Sequence, residues 1–195
     1  IHGRPEAYQE LAPGDGAYYD RMVEIDLSAV EPMIALPFHP SNAYTIREFR
    51  ENAKDILAEI EKEGNKLLGG KGAFRLTDKV KDGKVYVSQG VIAVCAGGMY
   101  ENIAAAQEIL KGSALGNGEF SLNIYPSSQP VFRGLMENGY IENLIESGAV
   151  VKTAFCGPCF GAGDVPANNG LSVRHTTRNF ESREGSKPAG GQLAA

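Results

Sequence analysis

Val85-Tyr86-Val87-Ser88-Gln89-Gly90-Val91-Ile92-Ala93-Val94-Cys95-Ala96-Gly97-Gly98 passes from a mixed β-rich stretch to an uninterrupted apolar run, and then to a glycine turn. A short run of β-branched residues without polar alternation reads as a strand covered on both faces. Tyr100 to Lys111 follows with Ile103, Ala104, Ile109 and Leu110 on one side, the spacing of a helix. Strand, tight turn and helix form the first half of a parallel βαβ unit. The decisive question is whether the cycle repeats downstream.

It does. Phe120-Ser121-Leu122-Asn123-Ile124 predicts a strand, and Pro126-Ser127-Ser128 a turn with a helix cap. Pro130 to Glu146 predicts a helix with a break at Gly139. Ala149 to Ala154 predicts another strand, Cys156 to Gly170 a glycine-rich loop, and Leu171 to Thr176 a last short strand. Upstream, Ile46, Phe49, Ala53, Ile56, Leu57 and Ile60 form one apolar stripe on a helix from Tyr44 to Leu68. The expected fold is α/β, a three-layer α/β/α sandwich around a mostly parallel sheet. Residues 1–40 read as an arm with one alternating strand, Met22 to Leu27, and residues 41–195 as the α/β domain.

The chain has 195 residues, 43% of them hydrophobic, enough for a real core. Its net charge of −5 argues against a nucleic-acid partner. No apolar run approaches the roughly 20 residues that span a bilayer. The first residue is Ile1, no signal peptide follows, and the last residues close no element, so both ends read as cuts within a longer chain. Three cysteines in a chain of this size make no disulfide framework. With no secretion signal, the expected location is the reducing cytoplasm, where thiols can bind metal.

In open parallel sheets, ligands gather beyond the carboxyl ends of the strands. Cys95 ends one expected strand and Cys156 follows another. Cys156-Gly157-Pro158-Cys159 is a C-x-x-C, whose spacing brings two thiolates to one centre. Zinc sites and dithiol redox pairs share that spacing. Phe160-Gly161-Ala162-Gly163 is poor helix sequence, which argues against a redox pair at a helix start. No fourth cysteine and no nearby histidine completes a closed zinc site. Three thiolates on a cubane cluster would leave one iron open as a Lewis acid. Buried structural cysteines are the plain alternative. His2, His39 and His175 are the three histidines; His175 reads as structural or surface.

Cys156-Gly157-Pro158-Cys159-Phe160-Gly161 and Thr176-Thr177-Arg178-Asn179-Phe180-Glu181-Ser182-Arg183 resemble the aconitase family. That family shows C-G-P-C-x-G and then N-R-N-F-x-x-R. Tyr18 to Ser28, Val94-Cys95 with Tyr100-Glu101-Asn102, Tyr125 to Ser128 and Glu137 to Tyr140 extend the similarity in order. The resemblance implies the third, cluster-bearing domain of a larger hydro-lyase. Cys95, Cys156 and Cys159 would ligate a 4Fe–4S cluster, which the isolated segment need not retain. Arg178 and Arg183 would bind the carboxylates of a di- or tricarboxylate substrate. The reaction would be reversible dehydration of a hydroxy-polycarboxylate. Citrate, homocitrate, methylcitrate and isopropylmalate remain open as the acid. The resemblance assigns no catalytic acid or base within this chain; those come from the remaining domains of the polypeptide, so the segment alone is expected to be inactive. Ala96-Gly97-Gly98 stands where the family usually has Thr-Asn-Ser, and Thr177 where it has Asn. A non-catalytic binding module and a zinc or dithiol domain are the alternative functions.

Overall fold

The structure, a computed structural model, describes residues 10–67, 69, 75–116, 118–176, 179–180 and 193–194. The chain divides into two compact units, residues 1–30 and 31–195.

In the first unit, Ala17 N–H donates to Gly14 O at 2.9 Å to close a turn. The Asp26 carboxylate accepts from Ser28 N at 2.9 Å and Ser28 Oγ at 2.6 Å, opening a 3-10 turn over Leu27–Ala29. The strand expected over Met22–Leu27 is absent: these residues are exposed, and none joins a ladder among the described residues. A strand needs a partner for its N–H and C=O groups. Here the Asp26 side chain supplies a local bond that competes with pairing.

The second unit opens with a hairpin of β1 (Met33–Ala35) and β2 (Ala43–Thr45), paired antiparallel. α1 (Ile46–Leu67) follows at once. Its start is a capping box: Thr45 N and Oγ1 donate to Glu48 Oε2 at 2.9 and 2.8 Å, and Glu48 N donates to Thr45 Oγ1 at 3.1 Å. Asn52 leaves helical geometry, and its Nδ2 donates to the carbonyl of Glu48 at 3.2 Å, which kinks the helix. Phe49, Ala53, Leu57 and Ile60 are buried, as their spacing predicts, against Leu36, Leu76 and Leu171. The Glu61 carboxylate reaches across to accept from Leu76 N and Thr77 N at 2.7 and 2.9 Å. A short antiparallel pair, β3 (Val80–Lys81) and β4 (Lys84–Val85), leads to the main sheet.

That sheet comprises β5 (Gln89–Ala93), β6 (Ser121–Tyr125), β7 (Val150–Val151), β8 (Leu171–His175) and β9 (Leu193–Ala194), in the order β7-β6-β5-β8-β9. Every pairing is parallel. α2 (Tyr100–Leu110) joins β5 to β6; α3 (Gln129–Glu137) and α4 (Tyr140–Glu146) join β6 to β7. The break expected at Gly139 is present, with φ +73° where glycine alone is relaxed. Ile103, Leu135 and Leu144 from these helices bury Leu122 and Ile124 of β6.

The α/β class and parallel sheet expected from the sequence are present. From β5 to β7 the chain advances across the sheet in one direction; β8 returns to the far side of β5. A crossover of constant hand must therefore change faces. Residues 152–170 do so, covering Val91, Ala93 and Tyr125 on the face opposite Leu122 and Ile124. Among the described residues this covering layer is irregular chain with one 3-10 turn. No helix of the described residues is long and apolar enough to cross a membrane.

Candidate functional site

Because the strands are parallel, their carboxyl ends share one rim, and the cysteine turns leave from it. Cys95 stands two residues beyond β5. Val94, a β-branched residue, sits at φ +48°, a strained position for its type. It is held there by its N–H donating to Tyr125 O at 3.0 Å and its carbonyl accepting from Gly98 N at 2.9 Å. Asn102, from the first turn of α2, donates to the carbonyl of Ala96 at 2.7 Å. Cys95 is exposed on this turn.

Cys156 and Cys159 lie on the crossover. A 3-10 turn, Gly157–Phe160, begins with Cys159 N–H donating to Cys156 O at 3.2 Å and ends at Gly161 in left-handed geometry. The expectation that no α-helix follows the C-x-x-C agrees with this turn. Cys156 is exposed; Cys159 is buried against Val91, Ala93 and Tyr125.

Beneath the turn is a polar layer that the sequence reading missed. Asp164, within the glycine-rich loop expected from Cys156 to Gly170, is 7% exposed. Its carboxylate accepts from Gln89 Nε2 at 2.7 Å, Asn123 Nδ2 at 3.1 Å, Tyr125 Oη at 2.8 Å and Lys152 Nζ at 3.4 Å. Arg174 of β8, also buried, donates to Pro158 O, Asp164 O, Gln89 Oε1 and Ser172 Oγ, all within 2.7–2.8 Å. The signal was present in the strands: Ser121 and Asn123 alternate with Leu122 and Ile124, and Ser172 and Arg174 with Leu171 and Val173. Burial pushes the Tyr125 phenol up, and the Asp164 carboxylate adds to that against the opposing ammonium of Lys152. Burial works against the charge of Lys152, but its bond to Tyr125 and the charge of Asp164 outweigh that and raise its pKa.

Arg178 and Arg183 lie outside the described residues, as does Thr177. Asn179, between them, is buried, and its Nδ2 donates to Leu36 O at 2.7 Å. Phe180 forms a parallel bridge with Phe38 and meets the His39 ring edge-on at 6.0 Å. Residues 179 and 180 thus meet the loop after β1. His175 closes against the cysteine turn, because a Cβ on Gly97 would overlap its carbonyl oxygen. A cavity of about 940 Å³ lies elsewhere, between α1, β1 and β8, and shares no lining residue with the cysteine turns.

In kind and number, the three thiols suit an iron–sulfur cluster, and they lie on segments that follow the parallel strands β5 and β7. They are not gathered to a point: among the described residues, no three Cys, His, Asp or Glu side chains form a group able to hold a metal ion. In its chemistry the donor set fits such a group.

Comparison with known proteins bears on the same segments. The 3-isopropylmalate dehydratase large subunit of Campylobacter hominis is 32% identical over 182 residues, covering 92% of this chain and 36% of its own. That of Caldicellulosiruptor bescii is 30% identical over 179 residues, 91% of this chain and 34% of its own. That of Moorella thermoacetica is 29% identical over 187 residues, 95% and 36% respectively. The chain spans about a third of the length of these curated relatives. The family model described as aconitase, aconitate hydratase, matches residues 3–195, so the cysteine turns, the crossover and the sequence around Arg178 and Arg183 all fall within the match, and the chain belongs to the aconitase family.

Proposed function

We propose that this chain is the cluster-bearing part of a hydro-lyase that reversibly removes and adds water on a hydroxy-polycarboxylate. One observation carries the reading: Cys95 and the Cys156–Cys159 pair emerge at the same carboxyl rim of a parallel sheet, in a chain of the aconitase family. Cys95, Cys156 and Cys159 would hold a 4Fe–4S cluster. Such a cluster, when bound, presents an iron without a protein ligand, a Lewis acid for a substrate hydroxyl.

The chain's own residues do the rest of the work assigned to it. The turn Val94–Gly98 brings the Cys95 backbone close to the ends of β6 and β8. The crossover carries Cys156 and seats Cys159 against the sheet. Arg178 and Arg183 would bind substrate carboxylates, since a guanidinium forks onto a carboxylate through two parallel bonds and stays charged. No residue here is assigned the role of base; that group belongs to the remaining domains of the polypeptide. The relatives' name makes 3-isopropylmalate the first acid to test, among small hydroxy di- and tricarboxylates.

The test is anaerobic reconstitution of the full-length protein with iron and sulfide. About four irons per chain and a broad visible band are expected, with loss of iron in Cys95→Ser, Cys156→Ser and Cys159→Ser, and with hydration or dehydration of one acid in the panel. Tight zinc without iron overturns the reading in favour of a zinc or dithiol C-x-x-C domain. Iron uptake unchanged in Cys95→Ser overturns the ligand set. A protein that takes up neither metal is the non-catalytic binding module.

A further inference from the structure

The bonds from Arg174 end on both sides of one cysteine. Nη1 donates to the carbonyl of Pro158, the residue before Cys159, at 2.7 Å; Nη2 donates to the carbonyl of Asp164, five residues after it, at 2.8 Å. The guanidinium is itself fixed, with Nε on Ser172 Oγ at 2.8 Å and Nη2 on Gln89 Oε1 at 2.8 Å. The Gln89 amide then donates to Asp164 Oδ1 at 2.7 Å, and Asn123 and Tyr125 close on the same carboxylate. Arg174, Gln89, Asn123 and Asp164 are each more than nine-tenths buried.

A buried guanidinium is a costly way to satisfy two backbone carbonyls, because its desolvation must be recovered through well-placed bonds. What it adds is geometry. A planar fork holds two carbonyls at a fixed separation, and a single ammonium cannot. Segment 158–164 is therefore pinned to β8 and β5 at both ends, with the sulfur of Cys159 between the pins. Cys156 lies outside the pinned segment, and Cys95 lies on a separate turn; both are exposed.

We infer that Arg174, with Asp164 and Gln89, is a positioning brace that seats Cys159 as the fixed thiol of the site. The purpose of the seated thiol rests on the function proposed above; the brace itself does not.

The experiment uses metal-free full-length protein, labelled under native conditions with iodoacetamide and quantified cysteine by cysteine by peptide mass spectrometry. In the parent, Cys159 labels more slowly than Cys95 or Cys156. In Arg174→Lys, which keeps the charge and loses the fork, Cys159 labelling rises about ten-fold, the protection expected of roughly one charge-assisted hydrogen bond. Cys95 labelling stays within about two-fold, because its turn has other supports. A parallel rise at all three cysteines, or no rise at Cys159, overturns the brace. Should Arg174→Lys fail to fold, the isosteric Asp164→Asn decides: a rise confined to Cys159 supports the brace and its absence overturns it. Iron uptake by the parent protein is read separately. Selective labelling without iron uptake leaves the brace standing and removes the cluster reading; iron uptake without selective labelling does the reverse.

Discussion

Gly98→Ala tests the turn that carries Cys95, because the added methyl has nowhere to go. Gly98 N–H donates to Val94 O at 2.9 Å, and Gly98 O accepts from Ser127 N at 2.7 Å, so its backbone is pinned between the ends of β5 and β6. An alanine Cβ there would overlap the carbonyl oxygen of Tyr125 and stand 2.6 Å from Val94 N and 2.7 Å from Val94 O. All three neighbours are backbone, so no rotamer change relieves the contact; strands and turn must separate. Overpacking in a tight site costs about 1–3 kcal/mol, and rigid surroundings put this case near the upper end, about 3 kcal/mol. For a chain of this length, each kcal/mol lowers the midpoint by about 2–4 °C, which gives a fall of roughly 6–12 °C. Thermal unfolding followed by circular dichroism measures it. Gly16→Ala is the control: its Cβ meets nothing within 4 Å, so a change within about 0.5 kcal/mol is expected. A Gly98→Ala protein as stable as the control would refute the close approach of turn and sheet. Gly97 is confined by a second close approach, because a Cβ there would overlap the carbonyl oxygen of His175.

Two other perturbations probe the layers on either side of the sheet. Gln107 on α2 is 1% exposed, and neither its Oε1 nor its Nε2 has a partner among the described residues. Gln107→Met keeps the length and removes the unpaired amide, so a gain of about 1–2 kcal/mol is expected in urea unfolding; a lower midpoint would show that the amide is satisfied. On the other face, the raised pKa of Lys152 and that of Tyr125 both favour the protonated form in the fold. Their contribution is whole below the unfolded values of about 10 and is lost as pH rises through the higher folded values. The urea midpoint should therefore fall on the alkaline side; a midpoint unchanged through that range would refute the raised values.

Periodicity made much of this fold readable in the sequence. The stripe from Phe49 to Ile60 places α1, and the alternation of apolar strands with amphipathic helices places the parallel sheet. The position of the cysteines after strands follows from the same pattern. What escaped has a physical cause in each case. Asn123 and Arg174 alternate with apolar neighbours, a pattern identical for a strand facing water and one facing a buried polar layer. Only the crossover above them distinguishes the two, and its chain is irregular. Asp164, in a run of glycine, proline and asparagine, has the composition of a turn, while its four donors come from β5, β6 and the residue after β7. Met22–Leu27 alternates like a strand, but alternation states only that a ladder is possible, and pairing needs a second chain segment.

The polar layer follows from the strand order. Had β8 been added beyond β7, its crossover would have lain with α2, α3 and α4 on the apolar face formed by Leu122 and Ile124. Returning instead to the far side of β5 sends residues 152–170 over Val91, Ala93 and Tyr125. A short crossover without an α-helix cannot satisfy its own carbonyls, so polar side chains on the strands beneath must do so; Arg174 does this for Pro158 and Asp164. The reversal therefore explains two facts together: the C-x-x-C turn lies over the end of β5, from which the Cys95 turn departs, and the hydrogen-bonding residues Gln89, Asn123 and Arg174 stand beside Val91 and Ala93 on the face beneath the crossover. Replacing Asn123 or Gln89 with leucine would leave the sheet its periodicity and remove the donors that hold the crossover down.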